Sequence, residues 1–271
     1  MTATSGEGGG WGGTGPNRAE IIRSGFSTPA DSPHVPSFPF SYRNAEILTL
    51  AYRTSPDAIA RLLPEPLEPT GDVVLIHIYK LNDTDWLGPY TEANIMVGAR
   101  LPGGAEGAYS PWLFLSSSSG VSQGREVHGQ PKKDAKVQLR PKTDAWVGRV
   151  RRNGIDVVTG TMAYKQRRCG PESLKRYMDF GLNLNLKVID HIDGRPAIRQ
   201  ITARRFADLT IHESWEGPCT VELRPNVQAP VYRLPVLEML DGFYWRADFT
   251  LVPGVILLDY LATPPAAGSS A

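Results

Sequence analysis

The segment Gly124-Arg125-Glu126-Val127-His128-Gly129-Gln130-Pro131-Lys132-Lys133 holds the side chains best suited to covalent chemistry. A lysine amine attacks a carbonyl carbon only when neutral, because an ammonium has no lone pair. With a pKa of about 10.4, a free lysine is only about 0.04% neutral at pH 7. Burial or a nearby positive charge lowers that pKa and raises the neutral fraction. Adjacent lysines are ordinarily solvated, so Lys132 and Lys133 alone do not separate a site from a surface. If the segment is extended, successive side chains point to opposite faces. Lys133 then faces away from Lys132, and desolvation becomes the larger lever. Pro131 fixes the backbone just before the pair.

Other reactive side chains have ordinary readings beside the functional one. His77 interrupts Val73–Tyr79, a run otherwise apolar on both faces, and such a histidine is ordinarily a hydrogen-bonded member of the core. His128 either lines a pocket or sits in its loop. Tyr244, within Phe243-Tyr244-Trp245, belongs to a run of aromatics that ordinarily packs a core, with a hydroxyl reaching a pocket as the alternative. Cys169 and Cys219 lie far apart, match no metal spacing and read as free thiols of a reducing cytoplasm.

The elements that must position these residues are mostly strands. Ile47–Arg53, Val73–Tyr79, Trp112–Leu115, Ala135–Leu139, Trp146–Val150, Ile155–Tyr164, Leu184–Asp190, Ile198–Ala203, Leu209–Glu213 and Thr220–Leu223 all have strand character. Arg152-Asn153-Gly154 and Ile192-Asp193-Gly194 read as tight hairpin turns between them. The strands follow one another with little room for crossover helices, so antiparallel pairing is expected. Helices are expected from Ser55, with Ser55 as cap and Pro56 at the first position, from Pro171 to Met178, and over Pro235–Leu240. The expected fold class is mainly β: a closed antiparallel β-barrel with a few peripheral helices. Residues 1–17, rich in Gly, Ser and Thr, read as a disordered tail, 18–261 as a single domain and 262–271 as a second flexible tail.

Composition narrows the function. A net charge of +1 gives no electrostatic reason to expect nucleic acid or an anionic membrane as partner. The basic runs Arg149–Arg152 and Lys165–Arg168 read as solvated hairpin edges. No apolar run approaches the roughly 20 residues needed to span a bilayer: Leu251–Leu261 is interrupted by Pro253, Gly254 and Asp259. No apolar signal segment opens the chain, and a cytoplasmic location is expected.

The motif around Lys132 resembles the Gly-Arg-Glu…Pro-Lys-Lys segment of the acetoacetate decarboxylase family. The resemblance continues in order through Tyr52-Arg53-Thr54, Pro64-Glu65-Pro66-Leu67-Glu68, Tyr90-Thr91-Glu92, Thr161-Met162-Ala163-Tyr164-Lys165, His212-Glu213-Ser214-Trp215-Glu216-Gly217-Pro218 and Asp259-Tyr260-Leu261. It covers the chain from about Pro36 to Leu261. It implies a β-barrel cone that assembles into homo-oligomers, with Lys132 as the imine-forming lysine, Lys133 as its basic neighbour and Glu92 as a proton shuttle. It implies no metal and no organic cofactor. Arg125, His128 and Gln130 fall among the expected substrate-binding residues.

Departures from the family pattern concern the substrate. The family's substrate-binding arginine falls on Ala45, and Arg43, two residues earlier, is the nearest replacement if the strand is regular. A second family glutamate falls on His77, which at that aligned position reads as a pocket residue. An aromatic of acetoacetate decarboxylase itself is Gln130. The resemblance as a whole favours decarboxylation of a β-keto acid. An imidazole base at His77 would instead suit an aldolase-dehydratase acting on pyruvate and an aldehyde. A third alternative is a non-catalytic barrel that binds a small apolar ligand, which requires Lys132 to be exposed.

Overall fold

The computed structural model describes residues 15, 17–23, 27–29, 32–35 and 37–262. The tails expected at 1–17 and 262–271 therefore lie outside the described residues, save 15, 17 and 262. The strands are β1 Phe40–Arg53, β2 Glu68–Leu81, β3 Asp83–Thr84, β4 Tyr90–Arg100, β5 Glu106–Leu115, β6 Lys132–Asp134, β7 Lys136–Lys142, β8 Ala145–Arg152, β9 Ile155–Ala163, β10 Arg167–Arg168, β11 Leu182–Asp190, β12 Pro196–Leu223, β13 Glu238–Leu251 and β14 Val255–Asp259. Hydrogen bonding runs β11-β5-β4-β2-β1-β13-β12, and β12 pairs back onto β11, so these seven strands close a ring.

Side-chain alternation separates two cores. On β1, Leu48, Leu50 and Tyr52 face outward, where they meet Val137, Leu139, Trp146, Val150 and Val158 of the antiparallel sheet β7-β8-β9. Ala45, Ile47 and Ala51 face the interior of the ring with Leu75, Leu113, Phe243, Trp245 and Phe249. The period of two thus decides which residues can reach a cavity inside the ring. Inward positions also carry polar groups: Thr49, His77, Glu92, Asn94, Ser110, Asn183 and Arg204 are all buried.

Several expectations are corrected. The ring is mixed rather than wholly antiparallel: β5 pairs in parallel with both β6 and β11. The parallel β5–β6 step is made possible by a crossover in the Lys132 motif itself. Helix Ser118–Gln123 is capped by the Ser117 side chain, which accepts from Gly120 N at 3.1 Å. It continues as a π-helical turn, Gly124–His128. The helix expected at Pro235–Leu240 is absent. Leu237 N donates to Arg53 O at 3.0 Å and Glu238 pairs with Arg53, so the β1 ladder takes this segment into β13. The helix at Pro171 ends at Leu174. The helix from Pro56 spans only to Ala60, without a side-chain bond from Ser55. Three expected strands fuse into the 28-residue β12, bent where its register with β13 shifts between Ala207 and Thr210. That length lets one strand leave β11, join β13 and reach β9, closing the ring. Both expected hairpin turns form, with Asn153 at φ 50, Gly154 at φ 79 and Gly194 at φ 83. No helix of the described residues is long and apolar enough to cross a membrane.

Gly129 ends the crossover in the left-handed region, at φ 79, with the Lys187 backbone against it. A Cβ there would lie 2.6 Å from Lys187 Cα and 2.8 Å from its N. Gly129→Ala is expected to cost about 2–4 kcal/mol from the combined backbone strain and overlap. Gly154→Ala, at the same φ of 79 but with nothing within 4 Å, should cost only about 1–2 kcal/mol. Denaturant unfolding of the two variants checks the difference.

Candidate active site

Lys132 enters the ring on β6, in parallel register with Leu113, an inward residue of β5. Its Nζ lies 3.1 Å from Glu92 Oε2, and the lysine is only 4% exposed. Gly124 makes room for it: a Cβ there would meet Lys132 Cδ at 2.2 Å and Cε at 2.6 Å. The lysine stem passes through the space that any other residue at 124 would fill.

The cavity around the amine has three kinds of wall. Glu92, Gln130 and Arg204 are polar; Tyr42, Tyr79 and Tyr90 present aromatic rings and hydroxyls; Leu81, Phe206, Phe249 and Leu251 are apolar. Arg204 is buried on β12, inward like Thr202 and Phe206, with its guanidinium carbon 4.6 Å from the Phe206 ring centre. One end of the Gln130 amide lies 3.2 Å from Arg204 Nε and 3.0 Å from Nη2. That end is the oxygen, since a guanidinium only donates. The same atom sits 3.2 Å from Asn183 Oδ1, a contact outweighed by two charge-assisted bonds. The Tyr42 and Tyr90 hydroxyls are 3.0 Å apart, and Tyr79 Oη is 2.9 Å from His77 Nδ1.

Burial is the foremost cause pushing the Lys132 amine below its ordinary pKa; Glu92 opposes the shift and the Arg204 charge adds to it. The neutral, nucleophilic fraction therefore exceeds that of a free lysine at neutral pH. Burial drives the tyrosine hydroxyls upward, so Tyr42, Tyr79 and Tyr90 remain protonated donors.

Of the residues expected at the site, Lys132, Glu92 and Gln130 come together and the others do not. Lys133 points the opposite way, and its Nζ donates to Gln228 O and Oε1, both at 3.1 Å. It is not the amine's charged neighbour; alternation along β6 turns it outward. Arg43 is exposed and paired with Asp83 and Asp85 at 3.1 and 2.5 Å. A bulge between Tyr42 and Ala45, with Asn44 at φ 53, breaks the alternation that would have turned Arg43 inward and puts Tyr42 there instead. His77 is fully buried behind the cavity, bonded to Tyr79 and packed edge-on against Phe180 at 4.7 Å. Burial drives its pKa down to about 3, which makes it a weak base. His128 accepts from Gln123 Nε2 at 3.0 Å and borders a separate cavity with Lys187 and Thr202. Arg125 is exposed, and its Nη1 donates to the Lys132 carbonyl at 3.3 Å, bracing the backbone rather than meeting a ligand. Tyr244 lies on the outward face of β13, stacked on Trp146 at 3.9 Å and donating to Glu46 at 3.1 Å.

Arg204, Tyr42, Tyr79 and Tyr90 are the residues that sequence reasoning missed. The alternation Thr202, Arg204, Phe206 carries the signal for Arg204, but only once that stretch is known to be continuous strand.

The model of the acetoacetate decarboxylase (ADC) family matches residues 27–261. An acetoacetate decarboxylase of Paraburkholderia xenovorans is 35% identical over 246 residues, which is 91% of this chain and 97% of that protein. The crystal structure of acetoacetate decarboxylase from Legionella pneumophila superposes with a TM-score of 0.82 at 30% identity, covering 97% of this chain and 100% of that one. The enduracididine biosynthesis enzyme MppR, in complex with pyruvate, shares the fold at a TM-score of 0.73 and 20% identity, over 87% of this chain and 98% of its own. The chain belongs to the acetoacetate decarboxylase family.

Gly124→Ala is expected to displace the Lys132 stem and lower kcat/KM about 10- to 100-fold, because a reacting group misplaced by an ångström loses that much. Steady-state kinetics and circular dichroism check it, with the dichroism unchanged.

Proposed function

We propose that the protein decarboxylates a small β-keto acid through an imine on Lys132. The observation that carries this reading is a lysine 4% exposed, 3.1 Å from a buried carboxylate, at the motif position of the family nucleophile. Neutral Lys132 attacks the keto carbon, and loss of water gives a protonated imine. The substrate carboxylate sits one carbon beyond, so the electrons of the breaking carbon–carbon bond flow into the iminium. Carbon dioxide leaves, and a neutral enamine remains. A proton is then delivered to carbon, and water hydrolyses the imine to free the ketone and Lys132. Glu92 is the group placed to carry protons between these steps.

The two alternatives have less support. Aldol condensation of pyruvate needs a base for the methyl proton, and His77, which would supply it, does not line the cavity, is bonded to Tyr79 and has a depressed pKa. A non-catalytic barrel needs an exposed, inert Lys132, whereas this one is buried with its amine poised toward neutrality.

Borohydride reduction in the presence of acetoacetate, then of pyruvate, followed by peptide mass spectrometry, tests the reading. The expected result is carbon dioxide release and an adduct on Lys132 with acetoacetate, both absent from Lys132→Ala. No adduct with either acid, or a pyruvate adduct that condenses with added aldehyde to an unsaturated product, would overturn it.

A further inference from the structure

The cavity holds a cation for which the imine chemistry has no direct use. Arg204 is 7% exposed, and the guanidinium is engaged along one edge only, by the Gln130 oxygen at Nε and Nη2. Its Nη1 is buried without a hydrogen-bond partner. Stacking on Phe206 fixes the plane of the fork. An unmatched buried guanidinium N–H is costly unless a ligand supplies the acceptor. The β1 wall of the same cavity offers no cation, since Ala45 is apolar and Arg43 faces solvent between Asp83 and Asp85.

Charge balance sets the ligand's class. With Lys132 neutral, Glu92 and Arg204 cancel. Imine formation adds one positive charge beside them, and an incoming substrate with a single carboxylate cancels it. A neutral ligand leaves the pocket with an uncompensated cation, and a dicarboxylate leaves it with an excess anion.

We propose that Arg204 is the substrate-binding residue of this pocket: its free Nη1 edge holds the carboxylate of a monocarboxylic oxo acid while Lys132 engages the keto carbon. The proposal rests on the lysine-imine reading and adds the group that selects the substrate. It makes Gln130 a positioning residue, which pins the opposite edge of the fork. It also gives Arg204 a second effect, because its charge faces the Lys132 amine. The other groups around that amine are Glu92 and Tyr90 on β4, Tyr79 on β2, Tyr42 on β1, His128 from the crossover and Gln130 just after it. The tyrosines stay protonated, and His128, held down to about 3 by burial, stays neutral. Glu92 and Arg204 are therefore the charges that act on the nucleophile.

Two probes separate binding from structure: acetoacetate, and the neutral diketone 2,4-pentanedione, which offers Lys132 a carbonyl but no carboxylate. In Arg204→Met the concentration of acetoacetate needed for half-maximal trapping on Lys132 is expected to rise about 10- to 100-fold, the loss of one buried charge-assisted contact. The diketone should lose no more than about twofold at a pH where wild-type and variant amines are both neutral. Arg204→Lys, which keeps the charge but not the fork, should recover part of the loss with acetoacetate. Removing the cation also lets the Lys132 pKa rise, so the acid limb of diketone adduct formation should move to higher pH in Arg204→Met. Equal losses with both probes would make Arg204 a structural residue and overturn the proposal, as would unchanged trapping of acetoacetate. If Arg204→Met does not fold, Arg204→Lys carries the comparison by itself, through the ratio of its losses with the two probes. A wild-type protein that forms no Lys132 adduct with either probe overturns the imine reading itself, and the proposal with it.

Discussion

Everything at this site depends on holding an amine in the buried interior of a β ring, where its charged form is disfavoured. An ammonium surrounded by apolar side chains and tyrosine rings loses its hydration and gains one carboxylate, Glu92, in return. Burial and the Arg204 charge act against protonation, and Glu92 acts for it. The three groups form a single electrostatic unit, so neither Glu92 nor Arg204 can be changed without altering the amine. In the proposed reaction the carboxylate moves protons, the cation meets an anion, and the lysine owes its reactivity to the balance between them.

The fold serves that arrangement by controlling which way each side chain points. β6 is only three residues long, yet it turns Lys132 inward and Lys133 outward. It is laid beside β5 in parallel by the crossover from Ser117 to Gly129, and that crossover passes close enough to the lysine stem to require glycine at 124. The sequence motif is thus a packing motif as well as a chemical one. Its glycines clear the space, its helical turn makes the parallel step, and its lysine is what the space is for. β12 supplies Arg204 from the stretch that pairs with β11, and it is long enough to go on to β13, closing the ring, and then to β9.

The candidate lysine was legible because its motif and the order of the other matching segments survive in a linear reading. The β class was legible from alternation, and the hairpins at Asn153-Gly154 and Gly194 from residues that tolerate positive φ. What escaped was whatever depended on a local break in that alternation or on distant pairing. One left-handed residue, Asn44, decides that Tyr42 rather than Arg43 faces the cavity. His77 faces inward as its parity requires, but Tyr79, also inward, stands between it and the ligand space. Arg204 lay between two segments read as separate strands, so its face could not be assigned, and nothing in the chain near Lys132 announces it. The parallel pairing of β5 was hidden because a crossover disguised itself as a loop of reactive residues.

The account rests on burial holding the Lys132 amine below the pKa of a free lysine. Lysine labelled with carbon-13 at Cε, assigned at position 132 by comparison with Lys132→Ala and followed by NMR through a pH titration, measures this without any substrate. The expected result is a Lys132 signal that titrates below a free lysine. A Lys132 signal that titrates as a free lysine does would contradict it.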